Sequence, residues 1–404
     1  MPRSLARPAL PREYWVLWAG TLVNRAGTFI EPFAVLYLTS QRGFTPAQVG
    51  IALVAFGLGA VLSQLVGGWT ADRIGRRATL VWGMVACAVC IALLAVARGL
   101  GPICSAAFLF GLASDLYRPA SSALVTDLVE PAQRPRAFAL LFWAVNLGFS
   151  VASVAAGFVA GVSYTLLFVV DAATCLAFAL VILLGIRSDP PRPPAVDLEK
   201  PAGFRTALRD PVMLALVGLT ILSATVYFQN TVTLPLAMLA DGLQPRDYGL
   251  VISINGILIV ALQPFSIRLL AGFDRLRVLA VSNILLGAGF WLTGFASSAW
   301  GYAGTVVVWT LGEIGTAGLA LSLVGDLAPP EARGRYAAVW GTSFGVATLT
   351  APLLGTRLYQ FVSPSALWTA CLLGGLAAAV GFVALRPSVQ RRLRTATRPL
   401  PSPA

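Results

Sequence analysis

Six ionisable side chains lie within the long apolar runs of this 404-residue chain. A charged side chain near the centre of a bilayer costs about 2.5–3.5 kcal/mol or more, so each of the six needs a partner or a function. Four of them are carboxylates, which can take up and release a proton in a sequence that contains no histidine. In chain order the six residues are Arg25, Glu31, Asp115, Arg118, Asp171 and Glu313.

The carboxylates differ in their sequence neighbours. Glu31 precedes Pro32, whose ring removes a backbone hydrogen bond and favours a bend. A carboxylate at a bend can carry a proton or meet a cation, or it can be merely solvated in an outer vestibule. Glu313 is flanked by glycines, which allow another helix or a ligand to approach. Asp171 is predicted to be a structural partner for a neighbouring helix.

Each of the two arginines has two interpretations. Asp115 and Arg118 are three residues apart, so in a helix they share a face and can pair. This pair either stiffens the helix, or Arg118 keeps the acid ionised until a substrate or a proton competes for it. Arg25 either orients an anionic group of a ligand or pairs permanently with an acid on another helix.

A cluster of aromatic and amide side chains precedes Pro235. Together with other aromatic residues, these side chains predict a cavity for flat, partly apolar molecules. The alternative is that they only pack or sit at the membrane interface, as most aromatic residues of membrane proteins do. The residues are Phe29, Phe33, Tyr37, Tyr227, Phe228, Gln229, Asn230 and Trp309.

Long apolar segments must position these residues. The chain is 57% hydrophobic and 11% charged, with a mean hydropathy of +0.79, whereas a soluble domain is about a quarter charged. Runs of about 18 or more apolar residues recur, and each can cross a bilayer as a helix. The sequence predicts an all-α membrane protein with about 12 transmembrane helices, at residues 14–39, 46–71, 78–97, 102–129, 136–162, 164–186, 211–239, 248–271, 276–295, 299–327, 335–360 and 364–385.

Basic residues predict the orientation. Of the 29 lysines and arginines, 23 lie at the termini, in the central linker or in alternate loops, and the opposite loops hold Arg42, Arg98, Arg246 and Arg357. Cytoplasmic loops carry the excess of basic residues, so both termini are predicted to face the cytoplasm across an inner cell membrane. The same distribution explains the net charge of +12 without a nucleic-acid partner. The five cysteines lie in apolar runs and predict neither a disulfide framework nor a metal site.

The chain is predicted to consist of two bundles of six helices each. A proline-rich segment with mixed charges, residues 187–210, is typical of a solvated cytoplasmic linker. It separates an N-terminal bundle at residues 14–186 from a C-terminal bundle at residues 211–385. Cytoplasmic tails are predicted at residues 1–13 and 386–404, the second of them basic.

The two halves repeat in the same orientation. Residues 124–136 align with residues 323–335 at an offset of 199 residues. A shorter echo relates the Asp-Arg pair before the third predicted helix to the Asp-Arg pair before the ninth. Parallel halves put a central site at their interface. The matched residues are Asp127 with Asp326, and Asp72 and Arg73 with Asp274 and Arg275.

A basic turn between the second and third predicted helices carries the most specific motif. Its pattern, G-x-x-x-D-R-x-G-R-[KR], is complete in Gly68, Asp72, Arg73, Gly75, Arg76 and Arg77. With the six plus six helices, the central linker and the repeats, this motif resembles the major facilitator superfamily over residues 14–385. Within it, the bacterial drug–proton antiporters are the most similar branch, on Asn24 to Gly27, Asn255 to Gly256, Gln263 to Pro264 and Gly312 to Ile314.

The resemblance implies a proton-coupled exporter of small amphipathic or drug-like molecules that works by alternating access. It ranks Glu313 first as the proton carrier, followed by Glu31 and Asp115. The implied substrate cavity consists of Asn24, Arg25, Phe33, Arg118, Tyr227, Phe228, Gln229, Asn230, Asn255 and Trp309. The implied conformational latch consists of Gly68, Asp72, Arg73, Gly75, Arg76, Arg77, Asp127, Asp274, Arg275 and Asp326.

The latch can be specified further. Gly68 would allow close packing against a helix of the other half, and Asp72 would lie at the N-terminus of the eleventh predicted helix, where the dipole favours negative charge. Arg76 would reach Asp127. The second half lacks the turn glycine, so its latch is expected to be weaker, and Asp72→Asn is expected to impair transport more than Asp274→Asn.

The fifth predicted helix departs from the antiporter pattern, since Ser153 stands where that group has a proline. Proton-coupled uptake of a nutrient or metabolite is therefore an alternative, and a non-transporting receptor on the same fold is another. The sequence contains neither a nucleophile–base pair nor a phosphate-binding loop, so an enzyme is not expected. The expected partners are a small-molecule substrate, protons and the lipid bilayer. Neither a cofactor nor a metal is expected, the proton gradient is the expected energy source, and the chain is expected to be a monomer.

Overall fold

The computed structural model describes residues 10–187, 204–270, 272–316, 319–329 and 332–396, and the regular structure of these residues is entirely helical. The remaining parts of the predicted linker and tails lie outside the described residues.

The helices up to residue 187 are α1 (Arg12–Ala26), α2 (Ile30–Ser40), α3 (Pro46–Arg73), α4 (Arg76–Val96), α5 (Leu100–Ser114), α6 (Tyr117–Leu128), α7 (Arg134–Val162) and α8 (Tyr164–Gly185). Those from residue 204 are α9 (Phe204–Leu208), α10 (Pro211–Tyr227), α11 (Gln229–Val232), α12 (Leu234–Ala240), α13 (Pro245–Leu270), α14 (Arg275–Thr293), α15 (Ala299–Thr316), α16 (Leu319–Leu327), α17 (Arg333–Arg357) and α18 (Pro364–Ala396).

Eleven helical segments of the described residues are long and apolar enough to cross a membrane. The first predicted segment, residues 14–39, is not among them, and residues 27–29 separate its two parts, α1 and α2. Gly27 ends α1, and Pro32 lies in the first turn of α2, where backbone N–H groups lack partners within the helix. The proline predicted to bend a continuous helix therefore stands near the start of a second one.

Two further predicted membrane helices are interrupted. The fourth breaks at Asp115 and Leu116, between α5 and α6, and the seventh breaks at Phe228 and again at Thr233. Pro235 lies in the first turn of α12, so it too follows a break. Non-helical backbone at membrane depth is tolerated where protein buries it or where it lines a cavity. The breaks coincide with polar or ionisable residues and therefore mark candidate sites.

The described residues form two compact units, the first within residues 1–34 and 55–195 and the second within residues 35–54 and 196–404. The predicted bundles differ from these units in that residues 35–54 group with the second. In the first unit, α1 packs on α7 and α8, and α4 packs on α8. In the second, α14 packs on α15 and α18, and α10 packs on α17 and α18.

Polar contacts join helices inside each unit. In the first, the Tyr14 hydroxyl donates to the carbonyl of Ala137 at 2.8 Å, which ties α1 to α7. In the second, Trp340 Nε1 donates to Thr220 Oγ1 at 3.1 Å, which ties α17 to α10. Polar groups in hydrocarbon must find protein partners, so these bonds help to fix which helix faces meet.

The last helix is longer than predicted. The hydropathy pattern ends the twelfth membrane segment at Leu385, but α18 continues to Ala396. The extension is held by Asp274, whose Oδ2 accepts hydrogen bonds from Arg386 Nε and Gln390 Nε2, both at 3.0 Å. Hydropathy does not detect a helix that polar contacts stabilise, so it did not predict that the helix continues beyond Leu385.

Candidate functional site

A buried aspartate organises the break between α1 and α2. Asp171 lies on α8, and its Oδ2 accepts hydrogen bonds from the backbone N–H groups of Phe29 and Ile30, both at 3.0 Å. These donors stand at the start of α2, where a helix cannot satisfy its own N–H groups and where its dipole favours a negative charge. This geometry gives Asp171 the structural role predicted from the sequence.

Arg25 lies in the last turn of α1 and is nearly buried. One of its Nη atoms donates to the hydroxyl of Tyr117, and the other lies 3.8 Å from Glu31 Oε2. A Cβ built at Gly148 on α7 would lie 2.5 Å from Arg25 Cβ, so the glycine allows this close approach. The guanidinium is therefore enclosed, with a carboxylate across the helix break.

Asp115 and Arg118 span the break between α5 and α6. Asp115 follows the last residue of α5, and Arg118 Nε donates to its Oδ1 at 2.7 Å. The Arg118 side chain is 53% exposed, which leaves room for a ligand at its outer donors. The pair thus bridges an interrupted helix while presenting an accessible guanidinium, and both interpretations from the sequence stay open.

In the second unit, neutral groups surround the carboxylate of Glu313. Asn255 Nδ2 donates to Glu313 Oε2 at 2.6 Å and to Thr310 Oγ1 at 3.1 Å. The side chain of Tyr227 is a second hydrogen-bond partner of the carboxylate. Within the described residues, no arginine or lysine forms an ion pair with Glu313. Proton uptake or release here changes the charge of a cluster that holds no compensating cation.

The glycines beside Glu313 serve helix packing. A Cβ at Gly312 would lie 2.5 Å from the carbonyl oxygen of Ser282, and one at Gly315 would collide with the Ser282 side chain. Both positions therefore face α14. The glycines were predicted to allow either another helix or a ligand to approach, and in the structure they allow the approach of α14.

Burial divides the predicted cavity residues into two groups. Gln229 joins two helices of the second unit, since its Nε2 donates to the carbonyls of Thr225 on α10 and Ala351 on α17 at 3.1 and 3.2 Å. Trp309 stacks on Phe290 with ring centroids 5.4 Å apart. The buried group, which supports the fold of each unit, comprises Asn24, Phe33, Gln229, Asn230, Asn255 and Trp309. The group with at least partly accessible side chains comprises Arg25, Arg118, Tyr227 and Phe228.

The sequence interpretation missed Tyr117, a partner of Arg25, and Thr310, which shares the partner Asn255 with Glu313. Tyr117 stands between Asp115 and Arg118 in the sequence, and it reaches Arg25 because the chain is not a continuous helix at this point. Thr310 precedes Glu313 by three residues, which places both on one helix face. The three-residue spacing of Thr310 and Glu313 could have been noticed in the sequence. The contact of Tyr117 depends on the break between α5 and α6, which hydropathy does not reveal.

The structure shows the contact predicted between Arg76 and Asp127. Arg76 Nε lies 2.9 Å from Asp127 Oδ2, and the side chains are 12% and 8% exposed. In the second unit, Arg275 Nη1 lies 2.5 Å from Asp326 Oδ2, with side chains 41% and 46% exposed. The two pairs are related by the repeat offset of 199 residues. The same ion pair is therefore buried in one unit and open in the other.

These pairs correct the alignment of the turn. The shared Asp-Arg dipeptide matched Arg275 with Arg73, but Arg275 makes the contact that Arg76 makes. Asp274 then corresponds to Gly75. Gly75 precedes α4 with φ +99°, a backbone conformation that favours glycine, whereas Asp274 accepts a backbone N–H at the start of α14 at 3.1 Å. A two-residue echo was too short to define the register.

Other motif residues act within the first unit. A Cβ at Gly67 would lie 2.9 Å from the Leu116 carbonyl oxygen, whereas one at Gly68 would meet no described atom within 4 Å. Gly67 therefore makes a close helix contact inside the first unit, and the contact predicted for Gly68 with a helix of the other half stays a prediction. Arg77 donates to a backbone carbonyl of α8 at 2.7 Å, and Arg73 lies over an aromatic ring of its own helix at 5.2 Å.

The departure at Ser153 has a local explanation. α7 runs without a break through this position, and Ser153 Oγ donates to the carbonyl of Phe149 at 2.8 Å. The hydroxyl is thereby satisfied inside its own helix. A proline would remove a backbone hydrogen bond here, so serine leaves the helix without that source of a kink.

Comparisons with known proteins agree with this architecture. The Major Facilitator Superfamily model matches residues 17–239 and 216–403. The Na(+), Li(+), K(+)/H(+) antiporter of Planococcus maritimus is 26% identical over 399 residues, 90% of this chain and 92% of the antiporter. The MFS-type transporter YqjV of Bacillus subtilis is 25% identical over 343 residues, 81% of this chain and 82% of YqjV. The multidrug resistance protein MdtH of Salmonella typhimurium is 33% identical over 139 residues, 34% of each chain.

Solved structures share the fold. A POT family transporter crystallised with 5-aminolevulinic acid aligns with a TM-score of 0.80 at 16% identity, covering 94% of this chain and 97% of that one. A peptide transporter POT in complex with sulfate aligns with a TM-score of 0.79 at 18% identity, covering 95% and 96%. At such low identity the likeness concerns the fold alone.

Proposed function

The chain belongs to the major facilitator superfamily and is a multi-pass membrane transporter of that type; we propose that it exports small amphipathic, drug-like molecules in exchange for protons. The multidrug name of MdtH and the proton-antiporter name of the Planococcus maritimus relative support this choice. The observation that carries it is the carboxylate of Glu313, held by neutral donors at membrane depth.

The proposed coupling rests on what protonation changes. The Asn255 amide and the Tyr227 hydroxyl donate to a carboxylate, whereas a protonated carboxyl group has a donor of its own and accepts fewer bonds. A proton shifts the balance between two conformations only if it binds them with different affinity. A site that is closed by donors in one conformation and open in the other supplies this difference.

The first unit would contribute to substrate binding. Arg118 is the most accessible ionisable group of its cluster, and its Nε already binds Asp115, so its outer nitrogens remain as donors for a substrate. In the second unit, Tyr227 and Phe228 are partly exposed, with ring centroids 5.5 Å apart, and offer an aromatic surface. Export would follow when a proton from outside neutralises Glu313 and favours the state that releases substrate outward.

The test is transport in proteoliposomes that contain a pH-sensitive dye, with pH gradients of each sign. Ethidium is the substrate probe. We expect wild-type protein to move ethidium in the direction opposite to the proton flow. We expect Glu313→Gln to abolish this movement while ethidium binding, measured by thermal shift, persists. Glutamine keeps the size of the side chain and an oxygen that accepts from Asn255, but it cannot carry a proton.

Glu31→Gln is the matched control, because Glu31 lies near Arg25 and its side chain is 49% exposed. We expect it to retain proton-driven transport at a reduced rate. Unchanged transport in Glu313→Gln would remove this residue from the mechanism. Movement of ethidium in the same direction as the proton flow would favour proton-coupled uptake over export.

A second candidate is the exchange of alkali cations for protons. The relative from Planococcus maritimus, which matches nearly the whole chain, carries that function in its name. The oxygen atoms of Glu313, Thr310 and Tyr227 are of the hard type that alkali cations prefer. If adding sodium or potassium chloride, but not ethidium, releases protons from acid-loaded vesicles, this second function replaces the first.

A further inference from the structure

Two buried thiols of the first unit are in contact. Cys87 on α4 and Cys175 on α8 have their sulfur atoms 3.7 Å apart, and both residues are buried. The two cysteines are 88 residues apart in the sequence. The remaining cysteines, Cys90, Cys104 and Cys371, are also free thiols.

The pair is not isolated from the polar structure of its unit. Asn24 Nδ2 donates to Cys175 Sγ at 3.4 Å, and the same sulfur lies 3.9 Å from Asp171 Oδ1. The other oxygen of Asp171 holds the start of α2. The sulfur atoms therefore stand at the end of a chain of contacts that leads to the break between α1 and α2.

We propose that Cys87 and Cys175 form a two-ligand site for a soft divalent metal ion of the mercury(II) type. Thiolates are the protein ligands that soft metal ions prefer. Within the described residues, no group of three or more His, Cys, Asp or Glu side chains could hold a metal, so a metal that accepts two ligands fits best. The site is distinct from Glu313 and independent of the proposed transport function.

Charge balance favours a divalent ion. Mercury(II) chloride would exchange its two chlorides for the two sulfurs, and each thiol proton would leave with a chloride. The product, one metal ion bound by two thiolates, is neutral, and so avoids the cost of leaving a net charge in a buried site. No oxidant or reductant is involved. With metal–sulfur bonds of about 2.3 Å, opposed sulfurs would stand about 4.6 Å apart, so the two sulfur atoms must separate by about 1 Å.

The experiment uses the full chain in detergent with the other three cysteines replaced, as Cys90→Ser/Cys104→Ser/Cys371→Ser. This protein retains the thiol pair and is titrated with mercury(II) chloride. We expect one mercury per chain, with both thiols blocked when they are counted after denaturation, and a rise in thermal stability. The matched controls carry Cys87→Ala or Cys175→Ala in the same background and hold one thiol each.

Two linked ligands gain about 10²–10⁴ in affinity over one, so we expect mercury to bind either control at least about 100-fold more weakly. Equal affinity in the pair and in the single-thiol controls would overturn the proposal. Binding of two mercury ions per chain, one on each sulfur, would overturn it as well. If a control is unstable, the same thiol count on the wild-type chain decides, because a bridged pair loses two thiols for each mercury bound.

Discussion

The two units differ in the partners of the three carboxylates predicted to carry a proton, Glu31, Asp115 and Glu313. In the first, Asp115 is hydrogen-bonded to Arg118, and Glu31 lies 3.8 Å from Arg25. In the second, Glu313 is held by an amide and a hydroxyl. A carboxylate beside an arginine loses an ion pair when it takes up a proton, whereas one beside neutral donors loses only hydrogen bonds. The contrast therefore supports the proposal that Glu313 carries the proton, whereas Asp115 and Glu31 are partners of arginines.

The ion pairs related by the repeat differ between the units in their burial. Arg76 and Asp127 of the first unit are nearly buried, whereas Arg275 and Asp326 of the second are more than a third exposed. The same chemistry at equivalent positions can therefore differ in strength. Removing one partner of a buried pair costs about 3–5 kcal/mol, whereas an exposed pair contributes about 0–1 kcal/mol.

The largest effect is expected from Asp127→Asn compared with Asp326→Asn. The first substitution leaves the guanidinium of Arg76 nearly buried without its carboxylate, and the second leaves Arg275 in contact with solvent. We expect Asp127→Asn to lower the melting temperature clearly and to reduce transport more than tenfold, and Asp326→Asn to change either by little. Differential scanning fluorimetry and initial rates in proteoliposomes measure both.

The control is the double variant Arg76→Gln/Asp127→Asn. It removes both buried charges, so it is expected to recover part of the stability that the single substitution loses. A double variant that is less stable than Asp127→Asn alone would contradict the view that an uncompensated buried arginine causes the loss. Equal losses in Asp127→Asn and Asp326→Asn would remove the proposed difference between the units.

Much of this architecture is readable from the sequence because hydropathy and composition report the bilayer directly. The all-α membrane fold, the membership of the family and the contact between Arg76 and Asp127 follow from apolar runs, a motif and an internal repeat. Hydropathy does not show where a helix breaks, since a broken helix has the same composition as a continuous one. The interruptions near Gly27, Asp115 and Phe228 therefore appear only in the structure.

The candidate site was harder to predict because its contacts join residues that are far apart in the sequence. Glu313 stands out as an acid in an apolar run, and helical spacing places Thr310, which also binds Asn255, on the same helix face. The hydrogen bonds of Asn255 and Tyr227 join segments far apart in the sequence, which a single sequence does not reveal. Gln229 was predicted to line a cavity as part of an aromatic and amide cluster, and its bonds to the carbonyls of Thr225 and Ala351 could not be read from the sequence.

A smaller effect is expected at the helix break of the first unit. Asp171→Ala removes the acceptor of two backbone N–H groups, which then remain unsatisfied in a buried position. Each lost bond to a charged group costs about 1.5–3 kcal/mol, so the melting temperature is expected to fall. Asp171→Asn keeps one oxygen that can accept and is expected to lose less. Equal stability of the alanine and asparagine variants would show that these bonds do not hold α2.

The smallest effect concerns Asp274, which tests whether the second unit stabilises its last helix by charge. Burial alone would raise the pKa of Asp274, but hydrogen bonds from Arg386, the Arg277 backbone and Gln390 lower it below its ordinary value of 3.8. A lowered pKa means that the folded state binds the proton less tightly than the unfolded state, so this stabilisation is complete above about pH 4 and is lost as the pH falls further. The side chains of the Arg386–Asp274 pair are 32% and 24% exposed, so we expect the pair to contribute less than about 1 kcal/mol to stability.

Asp274→Asn is therefore expected to have a slightly lower melting temperature at pH 6 and a shallower decline of the melting temperature between pH 5 and pH 3, measured by scanning fluorimetry in detergent. Parallel pH profiles for wild type and variant would mean that the extension of α18 is held by its packing and not by this carboxylate.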